Sequence, residues 1–152
     1  MGRSAYQNAT ATGLASFSSR GVEMIRSVKR ILIVEDNDLS LMLLNDLLAV
    51  QGYEIFKTSE GLEAINLARD KQPDLILMDF KLPDICGLDV TRRLKQDDLT
   101  KSIPIIAVTA FATPGDETKA LESGCDGYIT KPVAIQSLLR TIGSFLCSCN
   151  LF

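Results

Sequence analysis

Five short apolar runs, at 30–34, 53–57, 74–79, 103–108 and 126–129, partition this chain, and the stretch after each is long enough for a helix. Runs without polar alternation are the pattern of strands covered on both faces of a sheet. Helical spacing dominates between them. Leu41, Leu44 and Leu48 make one stripe, and Ala64, Leu67 and Ala68 another. Ile135, Leu138, Leu139, Ile142, Phe145 and Leu146 make the clearest. Gly52 and Gly124 follow helical segments, where a C-cap glycine belongs. Five strand–helix alternations predict an α/β fold, a doubly wound five-stranded parallel sheet with helices on both faces and right-handed crossovers.

The chain has 152 residues, which points to one domain. We expect the folded part at 29–146, a flexible extension at 1–28 and a short tail at 147–152. The extension is rich in Ser, Thr, Ala and Gly and has no acid before Glu23. A start near Met24, a transit peptide and a docking arm are alternative readings of it. A net charge of −3 suggests no nucleic-acid surface. No apolar run approaches the roughly 18 residues a membrane span needs, so no membrane insertion is expected. Histidine is absent, which removes imidazole acid/base chemistry and imidazole metal ligands. Cys86, Cys125, Cys147 and Cys149 form no zinc pattern. With no secretory segment evident, reduced thiols and a cytoplasmic location are expected.

The residues that close the runs carry the chemistry. Glu35-Asp36 follow the first run, Asp79 ends the third, Thr109 closes the fourth and Lys131-Pro132 follow the fifth. In an open parallel sheet the C-terminal edge of the strands is where ligands bind. Two carboxylates about 4 Å apart repel by roughly 4 kcal/mol at an effective dielectric of about 20, so a cluster of them needs a counter-charge. All-oxygen ligands with room for water suit Mg²⁺. Asp79 could accept a phosphoryl group as an acyl phosphate. Lys131 would then supply positive charge and the Thr109 hydroxyl a hydrogen bond. Taken singly, each feature has a plainer reading. Glu35, Asp36 and Asp38 suit a helix start, Lys131 suits a turn, and Thr109 a strand end.

The ordered set resembles the receiver domain of bacterial response regulators. Ile-Leu-Ile-Val-Glu-Asp-Asn, Asp-Leu-Ile-Leu-Met-Asp, Leu-Pro-x-x-x-Gly ending at Gly87, Val-Thr-Ala and Tyr-Ile-Thr-Lys-Pro carry the resemblance over about 29–146. The Ala-Val-Thr-Ala-Phe-Ala stretch and short C-terminus are most similar to the DivK type, stand-alone receivers of cell-division control. The resemblance implies a flavodoxin-like strand order 2-1-3-4-5, with Asp79 as phosphoacceptor. It implies Mg²⁺ held by Asp36, Asp79 and the backbone carbonyl of Lys81, with Glu35 acting largely through metal-bound water. Thr109 and Lys131 would contact phosphoryl oxygens, and the Lys131–Pro132 bond would be cis. Tyr128 would be the aromatic switch residue, or simply a half-buried strand tyrosine. Lys81 and Phe111 would tune phosphoryl lifetime.

The implied partners are a sensor histidine kinase or histidine phosphotransfer protein, and a downstream protein that binds the face of helix 4, strand 5 and helix 5. The segment Thr113-Pro114-Gly115 would let that face move. Such a protein is a phosphoacceptor rather than an enzyme. A degenerate receiver serving as a phosphate-independent interaction module is the alternative, but it would lack a site residue. A haloacid-dehalogenase-type phosphatase needs an Asp where Lys81 stands, and a dinucleotide site needs glycines in the first turn, which here is acidic. The terminal Cys149-Asn-Leu-Phe has a prenylation-like shape, which a bacterial-looking receiver disfavours.

Overall fold

The structure, a computed structural model, describes residues 28–110 and 114–146. The elements run β1 (Arg30–Val34), α1 (Asp38–Val50), β2 (Glu54–Thr58), α2 (Gly61–Lys71) and β3 (Leu75–Met78). They continue α3 (Gly87–Gln96), β4 (Ile105–Thr109), α4 (Pro114–Ser123), β5 (Gly127–Thr130) and α5 (Ile135–Leu146). The strands form a five-stranded parallel sheet in the order β2-β1-β3-β4-β5, as predicted. Phe111, Thr113, Cys147 and Cys149 lie outside the described residues, as does the extension before Val28.

Burial follows strand position. β3 and β4 are buried at every residue and β1 at all but Arg30, whereas the edge strands β2 and β5 are mostly half-exposed. Side chains alternate across the sheet and divide the core in two. Ile31, Ile33, Leu75, Leu77, Ile106 and Val108 face α1 and α5, where Leu44, Leu48, Leu138, Ile142 and Leu146 meet them. Leu32, Val34, Ile76, Met78, Ile105 and Ala107 face the other layer, packing with Ala64, Ala68, Val90, Leu94 and Ala120. Each fully buried Leu or Ile contributes roughly 1.5–3 kcal/mol, so these two stripes dominate the stability. Ile135 departs from its predicted core place. It opens α5 and is 46% exposed.

Gly52 and Gly124 end α1 and α4 with φ of 95° and 110°. Paired bonds, Tyr53 N–H to Leu48 O with Gly52 N–H to Ala49 O, and Cys125 N–H to Ala120 O with Gly124 N–H to Leu121 O, close both helices as Schellman motifs. β4 starts at Ile105 rather than 103, because Pro104 has no N–H to enter the ladder. Among the described residues no helix is long and apolar enough to cross a membrane.

Candidate functional site

The ladder sets the site. Glu35 N–H donates to Thr58 O at 3.0 Å, and Asp79 N–H donates to Val34 O at 2.9 Å. Each acid thus extends the bonding of its strand by one step onto the neighbour. Because Val34 pairs with Met78, Glu35 and Asp79 come to adjacent positions at the C-terminal edge. Lys131 N–H donates to Thr109 O at 2.8 Å, which ties the ends of β4 and β5 together. The order β2-β1-β3 reverses direction at β1, and the crevice beside that reversal is where such sheets bind ligands.

A cleft of about 250 Å³ opens there, lined by Glu35, Asp36, Asp79, Lys81, Thr109 and Lys131, with Asn37 and Ala110 completing the wall. Six residues chosen from sequence therefore share one cavity. Glu35, Asp79 and Thr109 are buried, whereas Asp36 and the Lys81 side chain are exposed. Tyr128 is half-buried against the core on the α4 side. Burial first, then the carboxylates of Asp116 and Glu117, push its phenol pKa up. The Lys131–Pro132 peptide bond is cis.

Lys131 Nζ lies 2.7 Å from Glu35 Oε1 and 3.5 Å from Asp79 Oδ2. The closer partner is therefore Glu35, which also accepts the Asn37 N–H through Oε2 at 3.1 Å. Asp79 Oδ1 accepts the Lys81 N–H at 3.2 Å. Asn37 caps α1, its Oδ1 accepting from Ser40 N–H at 2.9 Å, and Asp38 supplies the acid of the first turn. The helix-start reading thus holds for Asp38 while Glu35 turns into the cleft.

Among the described residues no three His, Cys, Asp or Glu side chains stand gathered as a ready metal site. Lys131 already supplies a positive charge between two of the acids. The donor set still fits Mg²⁺. That ion takes one or two carboxylates and keeps several waters, and the cleft offers three carboxylates and only oxygen ligands.

Burial is the largest influence on Glu35 and raises its carboxyl pKa, opposed by the Lys131 hydrogen bond and reinforced by Asp79. A raised folded-state value means that this group favours the fold below its ordinary pKa. That contribution is lost as pH rises through the raised one. Glu35→Gln is therefore expected to stabilise the metal-free protein at pH 7. The gain should fade on acidification below about pH 4, where both states of Glu35 are protonated. Melting curves of both proteins in chelator across this range check it; a variant that melts lower at pH 7 would contradict it.

Residues 31–143 match the family profile of the response regulator receiver domain. The chain is 51% identical over 118 residues to the polar-differentiation response regulator DivK of Brucella anthropi, covering 78% of this chain and 96% of that protein. The same-named protein of Brucella abortus is 50% identical with the same coverage. Among solved structures, the receiver domain of the sensor histidine kinase PA1611 from Pseudomonas aeruginosa has a TM-score of 0.74 at 32% identity. The match covers 79% of this chain and 98% of that one, which holds a magnesium ion in its active-site cleft. A putative response regulator from Chloroflexus aurantiacus has a TM-score of 0.76 at 30% identity, covering 80% of this chain and 99% of that one. With the fold, the strand-end residues and these relatives in agreement, the chain belongs to the response regulator receiver domain family.

Proposed function

We propose that Asp79 is the phosphoacceptor of a response regulator that takes its phosphoryl group from the phosphohistidine of a sensor histidine kinase or histidine phosphotransfer protein. The observation that carries this is the single cleft that brings Asp79 together with Lys131, Thr109, Glu35 and Asp36. An Asp79 oxygen attacks phosphorus, an O–P bond forms, and the N–P bond breaks with its electron pair returning to the imidazole. Asp36, Asp79 and the Lys81 carbonyl would hold Mg²⁺, with Glu35 behind them. When bound, the ion would neutralise charge on the phosphoryl oxygens. Lys131, already placed between the acids, neutralises another part of that charge. The Lys81 N–H bond holds the Asp79 carboxylate in one orientation.

The donor protein must present its histidine at the mouth of this cleft. Beside it, α1 and α5 leave a groove of about 280 Å³ that shares Lys131 with the site. Leu43 and Ile135 line it and are exposed, as are Leu39 and Met42 of α1. An apolar helix face of the phosphodonor suits this groove. Output is assigned to the α4–β5–α5 face, where Tyr128 packs. The likeness to DivK proteins supports a role in cell-division and polarity control, within the cytoplasm.

Thr109 lies in the cleft and Tyr128 on the next strand, paired with Ala107. A Thr109 hydroxyl drawn toward the phosphoryl group leaves space for the Tyr128 ring. One charge-assisted hydrogen bond, about 1.5–3 kcal/mol, shifts the two-state population about 13- to 160-fold. Thr109→Ala should therefore bind beryllofluoride on Asp79 yet lose most of the shift in Tyr128. Fluorotyrosine NMR with and without beryllofluoride reads this directly. A full wild-type shift in the variant would break the link between site and surface.

A further inference from the structure

The N-terminus of α2 is capped from elsewhere in the chain. Its own N-cap residue, Glu60, makes no side-chain cap bond. Asp84, on the loop between β3 and α3, takes that role. Its Oδ1 accepts the Gly61 N–H at 2.8 Å and its Oδ2 the Leu62 N–H at 2.9 Å. These two donors, Leu62 first, hold the Asp84 carboxyl below the usual carboxylate range. The same loop is pinned a second time where Gly87 N–H donates to Phe80 O at 2.9 Å. Between the two pins stands Lys81. Its N–H orients Asp79 at 3.2 Å, and its carbonyl belongs to the proposed metal ligands.

We propose that Asp84 is a positioning residue for the phosphoacceptor site, clamping the β3–α3 loop to α2 so that both backbone groups of Lys81 stay aimed at the cleft. The inference rests on the metal-binding reading above and adds a residue outside the cleft wall. A carboxylate is suited to this task, because one side chain offers an acceptor to each of two successive N–H groups. Groups that orient a metal's ligands commonly change its affinity by 10–100-fold when removed.

The test compares Asp84→Ala and Asp84→Asn with Asp74→Ala. Asp74 also caps a backbone donor, Arg30 N–H at 2.8 Å, but at the opposite edge of the sheet. Asp84→Ala and Asp74→Ala should both lower the melting temperature. Only Asp84→Ala should weaken Mg²⁺ binding, by about tenfold in calorimetry, and speed hydrogen exchange at the Lys81 amide in metal-free buffer. Asp84→Asn keeps one acceptor oxygen and should fall between, and it decides the matter if the alanine variant does not fold. Unchanged Mg²⁺ affinity and unchanged Lys81 exchange in folded Asp84 variants would overturn the proposal. So would an equal loss of affinity in Asp74→Ala. If the wild type itself fails to bind Mg²⁺, the metal reading falls, and Lys81 exchange alone then decides for or against the clamp.

Discussion

Asp79→Asn is expected to take up no phosphoryl group from any donor while folding as the wild type does. The substitution is nearly isosteric. The Asn carbonyl oxygen can still accept the Lys81 N–H that Oδ1 accepts at 3.2 Å. The backbone bond from residue 79 to Val34 O is untouched. What disappears is the carboxylate proposed as nucleophile, one of the two buried acids that share Lys131. Removing one relieves the repulsion between the two acids, and Lys131 keeps its shorter bond to Glu35. Stability should therefore hold or rise. Phosphoryl uptake is read with a radiolabelled donor, and the fold by circular dichroism and melting. Label at wild-type occupancy on the variant would place the acceptor elsewhere.

Gly87→Ala should produce the largest loss of stability. Gly87 opens α3 with an ordinary backbone conformation, so the constraint is one of space rather than of φ. A Cβ added there would overlap the carbonyl oxygen of Asp79 and stand 2.8 Å from Cα of Phe80. Both are backbone atoms, which cannot rotate aside as a flexible side chain can. Overpacking costs about 1–3 kcal/mol where side chains adjust, and here the segment that must move carries Asp79, the proposed phosphoacceptor. We expect a loss of about 3 kcal/mol or more, with phosphoryl uptake falling alongside. Urea unfolding measures the first and donor labelling the second. A variant within about 0.5 kcal/mol of wild type would show that helix and loop are not packed this closely.

Much of the fold was legible because two periodicities alternate without interruption, and parallel strands buried on both faces announce themselves as unbroken apolar runs. Boundaries were less so. The third run predicts a strand from Asp74, but the Asp74 side chain accepts the Arg30 N–H, and β3 begins at Leu75. Ile135 sits at helical spacing with the core residues of α5, yet it lies on the first turn and is exposed. Periodicity gives a direction around a helix and says nothing about where the layer beneath it stops.

The cleft was legible for a related reason. In a parallel sheet all strands end on the same side, so polar residues closing successive runs converge without any knowledge of contacts. The partners were not. Glu35 and Asp36 are adjacent, and which of them turns inward depends on register; it is Glu35 that is buried and meets Lys131. Asp84 left no local signal, because its two donors lie 22 and 23 positions earlier. Asn37 did leave one, as an N-cap residue ahead of a helix, and Ala110 only the small residue after Thr109.

A cleft of this geometry should make Asp79 an acceptor of phosphoryl groups. Intact-mass spectrometry after incubation with acetyl phosphate, in Mg²⁺ and in chelator, followed by peptide mapping, tests it most directly. The predicted result is a single phosphoryl adduct that forms only with Mg²⁺ and maps to the peptide containing Asp79. No adduct, or one carried by a peptide without Asp79, would mean that Asp79 is not the acceptor.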